Sequence, residues 1–276
     1  MNTTASGFST GSTIERPRRP DPQSSPPHRS VAAIVASLHG RAGKTLLARV
    51  LADYFILSGR RPALFDTDAA ERTLHGAFPD DAIVVDLTEV RDQMILFDTL
   101  VARSAASRVV DVSHHAARRF FKVMQESDFA AEAHARQVGS VIFHIVDRNA
   151  DSYEAARLLR ERFADCALVL VENAFLGKAK DRTRGSAGYQ SFEGYELRMT
   201  LPWLDSEVLD IVDDMHLSLS DLMREPLSRE ASGGPLSFDE RADLRSWLGG
   251  IFRDIHRLTR TIDTRALSLA PDGPPI

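Results

Sequence analysis

Cysteine is almost absent. Cys166 stands alone in 276 residues, so the chain can form no internal disulfide and suits a reducing compartment. Long apolar runs are missing as well. No stretch reaches the roughly 20 consecutive apolar residues that a membrane span needs, and the N-terminal residues lack the apolar centre of a secretory signal. Nor is there a large excess of charge of one sign. The formal net charge of −5 excludes a whole-protein field that gathers nucleic acid, although a local basic patch is compatible with it. No internal repeat is visible. The expectation is a soluble, cytoplasmic protein without an integral membrane segment.

What is present is ordinary globular material, 43% hydrophobic and 26% charged, in a length that suits one large domain or two small ones. Residues 1–30 are rich in Ser, Thr, Pro and Arg and nearly free of large apolar side chains, so burial cannot offset the entropy of ordering them. They are expected to form a disordered tail, or, in the sharper reading, an arm in which Arg16, Arg18, Arg19 and Arg29 meet an acidic partner. Residues 262–276 read as a second loose end, which leaves 31–261 as the domain.

Within the domain, short apolar runs alternate with amphipathic stretches. VAAIVASL (31–38), PALFDTD (62–68), AIVVDL (82–87), SRVVDVS (107–113), GSVIFHIVD (139–147), CALVLVENAF (166–175) and YELRMTLPWL (195–204) have the length and branched content of buried strands. Between them, TLLARVLADYFILSG, DQMILFDTLVARSA, FKVMQESDFAAEA and SYEAARLLRERFA carry apolar residues at helical spacing, and the chain beyond Leu204 is helical with a break near SGGPL. The alternation predicts an α/β fold, a mostly parallel sheet with helices on both faces. Ligands bind such sheets beyond the carboxyl ends of the strands.

Three of those ends are polar: His39–Thr45, Asp66 with Asp68, and Asp111. The first reads ASLHGRAGKTL (36–46). A loop that joins a buried strand to a helix N-terminus aims several backbone N–H groups at one point, and the helix dipole adds positive potential there. Gly40 and Gly43 would let the backbone approach a phosphate, with Arg41, Ala42 and Leu46 completing the cradle. Lys44 would reach the outer phosphates, and the Thr45 hydroxyl would hold Mg²⁺. The common spelling of such a loop has a glycine where Leu38 stands. Magnesium takes oxygen ligands, usually one or two carboxylates with water and phosphate, which makes Asp66 and Asp111 candidates alongside Thr45. Each strand-end Asp has an alternative use as a helix cap.

Taken together, HGRAGKT, ALFDTD, VVDVS, VLVENAF and TLPWLDSEVLD resemble, in consistent order over about residues 31 to 215, the ParA/MinD group of P-loop ATPases. That group spells its loop KGGxGKT, which accounts for Leu38. The resemblance implies a P-loop NTPase fold of the SIMIBI type, ATP and Mg²⁺ as ligands, and a homodimer formed face to face around nucleotide. It implies that Lys44 and Thr45 serve phosphate and Mg²⁺, that Asp68 positions the attacking water with Asp66 close by, and that Asp111 is the Walker-B carboxylate. Asn173 would hydrogen-bond the adenine, and the loop at Pro202 would lie against the base. His39 departs from the group's signature lysine, which reaches across the dimer, and Arg41 replaces its second glycine. Arg41 either acts in trans on a partner's phosphates, or faces solvent or binds a carboxylate, so ATP binding with weak turnover is expected. The cargo implied is partition, positioning or conjugative-transfer machinery, with non-specific DNA as a further partner through Lys178, Lys180, Arg182 and Arg184. A nucleotide-binding adaptor without turnover, and a small-molecule kinase or synthetase on the same loop, are the rival readings. The pair His114–His115 suggests no metal site, because adjacent side chains converge poorly on one ion.

Overall fold

The computed structural model describes residues 30–104, 106–214, 217–224 and 236–268, so the N-terminal tail and its arginines lie outside the described residues. Seven strands form the sheet: β1 Val31–Ser37, β2 Ala63–Asp66, β3 Ala82–Val84, β4 Arg108–Asp111, β5 Gly139–Val146, β6 Ala167–Asn173 and β7 Arg198–Leu201. Every pairing is parallel, in the order β3-β2-β4-β1-β5-β6-β7. β1 is therefore central, and its carboxyl end is the place where the chain order reverses, the crevice that such sheets use for ligands.

The helices are α1 Lys44–Leu57, α2 Thr73–Ala77, α3 Val90–Val101, α4 Ala117–Glu126, α5 Phe129–Ala135, α6 Ala150–Arg162, α7 Asp181–Arg184, α8 Ala187–Gln190, α9 Ser206–Asp214, α10 Leu219–Arg224 and α11 Phe238–Ser268. Side-chain alternation along the strands splits the core into two layers. Ala33, Val35, Val109, Phe143, Val171 and Met199 face one side, against α1, α9, α10 and α11. Ala32, Ile34, Val110, Ile142 and Leu170 face the other, against α3, α4, α5 and α6. With both faces covered, the strands read as continuous apolar runs rather than alternating ones.

Three differences from the sequence reading have local causes. The stretch read as one helix over 121–133 is two, broken at Asp128, which takes a left-handed φ of 50°. The basic tract that carries Lys178 to Arg184, given no element in the sequence reading, holds the short helix α7 and leads into α8, where the Ser186 side chain accepts from the Tyr189 N–H as an N-cap. α11 runs on to Ser268, past the expected boundary at 261. No described helix is long and apolar enough to cross a membrane.

Candidate functional site

The carboxyl ends of β1, β2, β4, β6 and β7 surround a cleft of about 780 Å³ lined by Gly40 to Leu46, Asp68, Asp111, Asn173 and Pro202. Nearly every residue singled out in the sequence is thus brought to one place, from strands far apart in the chain.

The loop between β1 and α1 is shaped by its backbone. Arg41 and Gly43 both take left-handed φ, 54° and 94°, on either side of Ala42. Such alternation turns successive N–H groups toward one point and makes an anion-binding concavity. Gly43 has no substitute: besides its φ, an added Cβ would sit 2.7 Å from Asn173 Nδ2. Gly40 is pressed in the same way, with the His114 ring 3.1 Å from where a Cβ would be. Arg41 itself is exposed and pays the steric cost of a left-handed conformation without glycine's freedom.

Lys44 opens α1 and is buried, its ammonium donating to Ser37 Oγ at 3.2 Å and to the His39 carbonyl at 3.3 Å. Burial holds its pKa below the usual lysine value, against the pull of Asp111, Asp68 and Glu71. One residue on, the Thr45 hydroxyl donates to Asp111 Oδ2 at 2.6 Å. Asp111 Oδ1 is buried and, among the described residues, has no hydrogen-bond partner. Burial pushes the Asp111 carboxyl up to about 7; the Thr45 bond and Lys44 oppose this, and Asp66 and Asp68 add to it. A buried, orphaned carboxylate oxygen beside a threonine hydroxyl is a donor set of hard oxygens that fits Mg²⁺, and a cation there would restore the ionised form.

Of the two aspartates at the end of β2, Asp66 caps and Asp68 faces the cleft, so Asp66 is not brought to the metal position expected of it. Asp66 is paired in register with Asp111 but does not line the cleft. Its Oδ2 accepts from the Leu74 and His75 N–H groups at 2.9 and 3.1 Å, and its Oδ1 from Asp68 N–H at 2.9 Å. It caps α2 from below, the alternative use of a strand-end Asp. Asp68 lines the cleft, with Oδ1 accepting from Ala70 and Glu71 N–H and Oδ2 from the Ser113 hydroxyl at 3.0 Å. Burial works to raise Asp68, yet those bonds outweigh it and hold the carboxyl below the ordinary range. An ionised carboxylate at this position can orient a water.

His39 reaches sideways rather than outward: its Nδ1 lies 2.9 Å from Asp147 Oδ2, just beyond β5. Asn173 is buried and has both ends of its amide engaged. Nδ2 donates to the Ala42 carbonyl at 2.9 Å, and Oδ1 accepts from Phe175 N–H at 3.0 Å. Lys178, Lys180, Arg182 and Arg184 are exposed, with Arg184 3.4 Å from Asp181. The His114 and His115 rings lie with centroids 3.7 Å apart, tilted by 42°, and both line the cleft. Burial, with His115 and Lys44 next, keeps His114 below its ordinary pKa.

The sequence reading missed Ser37, Ser113, Asp147 and Phe175, and with them Thr73, which lines the cleft with its hydroxyl 3.2 Å from that of Thr45. Ser113 had a signal: it lies two residues after Asp111 on extended chain, so the two share a face. Asp147 had none, because its contact with His39 spans 108 residues of chain, and Phe175 had none, because its place at the cleft is set by the sheet order.

A central parallel strand leads through a nest-forming loop into a helix that opens on lysine and threonine, with the threonine bonded to the aspartate of the adjacent strand. The fold is α/β, with an all-parallel seven-stranded sheet and an anion-binding concavity at the end of its central strand. No protein-family model matches the chain, and no curated protein matches it. Solved structures of similar fold include the MinC:MinD cell division complex of Aquifex aeolicus, at 12% identity over 80% of this chain and 95% of that one, with a TM-score of 0.47. They also include a nucleotide-binding protein of Archaeoglobus fulgidus in complex with ADP, at 15% identity over 76% and 91% of the two chains and a TM-score of 0.41. A McdA–ATP complex from Cyanothece is 14% identical over 80% and 97%, with a TM-score of 0.39.

Proposed function

We propose that the protein binds ATP with Mg²⁺ and hydrolyses it slowly, as a ParA/MinD-like switch whose nucleotide state controls dimerisation. The observation that carries this reading is the Thr45–Asp111 bond beside the orphaned Asp111 Oδ1, at the mouth of a loop that Lys44 closes. Thr45 and Asp111 would hold the cation, which when bound supplies charge neutralisation at the outer phosphates. Lys44 neutralises the same phosphates from the loop side. Asp68 orients the attacking water, with Ser113 fixing the carboxylate. Arg41, exposed at the loop tip, would meet a partner's phosphates across a dimer. Asp66 contributes by capping α2 and so fixing the turn that bears Asp68. In this reading the dimer serves partition, positioning or conjugative-transfer machinery in the cytoplasm, and the exposed cations of 178–184 supply weak contacts to DNA.

One observation favours the adaptor reading as the second. His39, which stands where the resemblance expects a lysine reaching across, is tied to Asp147 instead. Arg41 is then the loop residue left to reach a partner's phosphates. Single-turnover hydrolysis separates the two: the ATPase reading expects Arg41→Ala to be slower than wild type, and equal near-background rates in both would leave only the adaptor. Nucleotide binding itself is tested by Lys44→Ala, which is expected to abolish the rise in melting temperature caused by ATP·Mg²⁺ while leaving the ligand-free protein folded. An unchanged rise in the variant would refute the site.

A further inference from the structure

Resting on the nucleotide reading above, the geometry points to a division of labour at the far end of the cleft: Asn173 braces the phosphate loop and stations Phe175, and the Phe175 ring, not the Asn173 amide, holds the base. Asn173 sits at the carboxyl end of β6, separated from β1 by β5 alone, and is buried. Its Nδ2 bonds the Ala42 carbonyl, and its side chain meets the space beside Gly43. The peptide group is planar, so fixing the Ala42 carbonyl also fixes the direction of the Gly43 N–H on the other side of the same bond. That N–H belongs to the phosphate cradle. Asn173 therefore acts on the phosphates through the loop, as a positioning residue.

The other end of the amide accepts from the Phe175 N–H and caps the single 3₁₀ turn Ala174–Leu176. This sets the place of a phenylalanine whose side chain is left 61% exposed, where most Phe rings are buried. Phe175 lines the cleft together with Leu201, Pro202 and Leu204, whereas the equally exposed Trp203 does not. The cleft is thus polarised, with Lys44, Asp68 and Asp111 at one end and an aromatic face with aliphatic neighbours at the other. A flat, weakly polar ligand group of the size of a purine suits that end, because stacking on an aromatic face needs no hydrogen-bond readout.

The test compares ATP·Mg²⁺ with magnesium tripolyphosphate, which carries the phosphates and no base, by calorimetric titration of the full chain. For Phe175→Ala, ATP is expected to bind about tenfold more weakly, the factor that stacking of ordinary strength supplies, with tripolyphosphate unchanged. For Asn173→Asp, which keeps the acceptor for Phe175 N–H and removes the donor to Ala42, both ligands are expected to weaken by the same factor. Loss of ATP alone in Asn173→Asp would show that Asn173 reads the base and would overturn the inference. Unchanged ATP affinity in Phe175→Ala would overturn it as well. The Phe175 variant alters an exposed side chain, so its fold is not at stake. Wild type taking up neither ligand would sink the nucleotide reading itself, a result distinct from the other two.

Discussion

Charge and burial conflict most sharply at single residues. Asp111, Lys44 and Asp66 are all ionisable and buried, and each finds partners at the site. His144 is buried in β5 away from the cleft lining. Burial pushes its imidazole down to about 4 from the ordinary 6.5, against the Ser152 backbone and the Asp147 carboxylate. Between those two values the unfolded chain takes up a proton that the folded one refuses, so stability is lost as pH falls through this window. His144→Gln is expected to flatten the decline in melting temperature on acidification from pH 6.5 to 4, relative to wild type, in thermal scans. Parallel pH profiles for the two proteins would refute that role. The titration of His144 was not legible in the sequence, where IFHIV reads as strand with one polar interruption. Only the packing of α6 over β5 closes water out.

Between elements, the helix that follows the phosphate loop is tied to the C-terminal helices by buried charge. Arg49 of α1 donates to the Val212 and Leu217 carbonyls at 2.8 and 2.7 Å. Asp53, one turn on, accepts from Leu219 N–H at 2.9 Å and from the Ser220 hydroxyl at 2.6 Å, and so caps α10 from another helix. Removing the carboxylate leaves buried donors unpaired, a loss of about 1–3 kcal/mol. Asp53→Ala is therefore expected to shift the urea midpoint downward with an unchanged slope, and an unshifted midpoint would refute the cap. The sequence marks α1 clearly, because its apolar spacing is local. It gives no sign of the Arg49 and Asp53 contacts, whose partners lie some 160 positions later in the chain. Gly188 shows the same limit: its Cβ would meet the Glu154 backbone N at 2.8 Å, a closeness set wholly by how α8 lies on α6.

For the whole molecule, the proposed switch predicts a change of mass. In sedimentation velocity the ligand-free protein and the protein with ADP are expected as monomers, and ATP·Mg²⁺ is expected to shift the population toward dimer. Arg41 sits exposed at the loop tip in left-handed backbone, so Arg41→Ala is expected to weaken the ATP-bound dimer by a larger factor than it weakens nucleotide binding by the monomer. An ATP-independent mass in wild type would refute the switch. The net charge of −5 makes any DNA contact local and salt-sensitive rather than a property of the whole surface.

The sequence by itself determined the alternation of strand and helix, the position of the loop after the first strand, and the polar ends that mark the cleft. Those follow from apolar period and from glycine placement, which act over a few residues. The tertiary structure decided which strand-end carboxylate faces the cleft. Asp66 and Asp68 are two apart at the end of the same strand, yet α2 claims one through the Leu74 and His75 N–H groups and leaves the other to Ser113. It also decided the posts of His39 and Asn173. A side chain takes whichever donor or acceptor its neighbours leave unpaired, and those neighbours are fixed by the sheet order, not by adjacency in the chain.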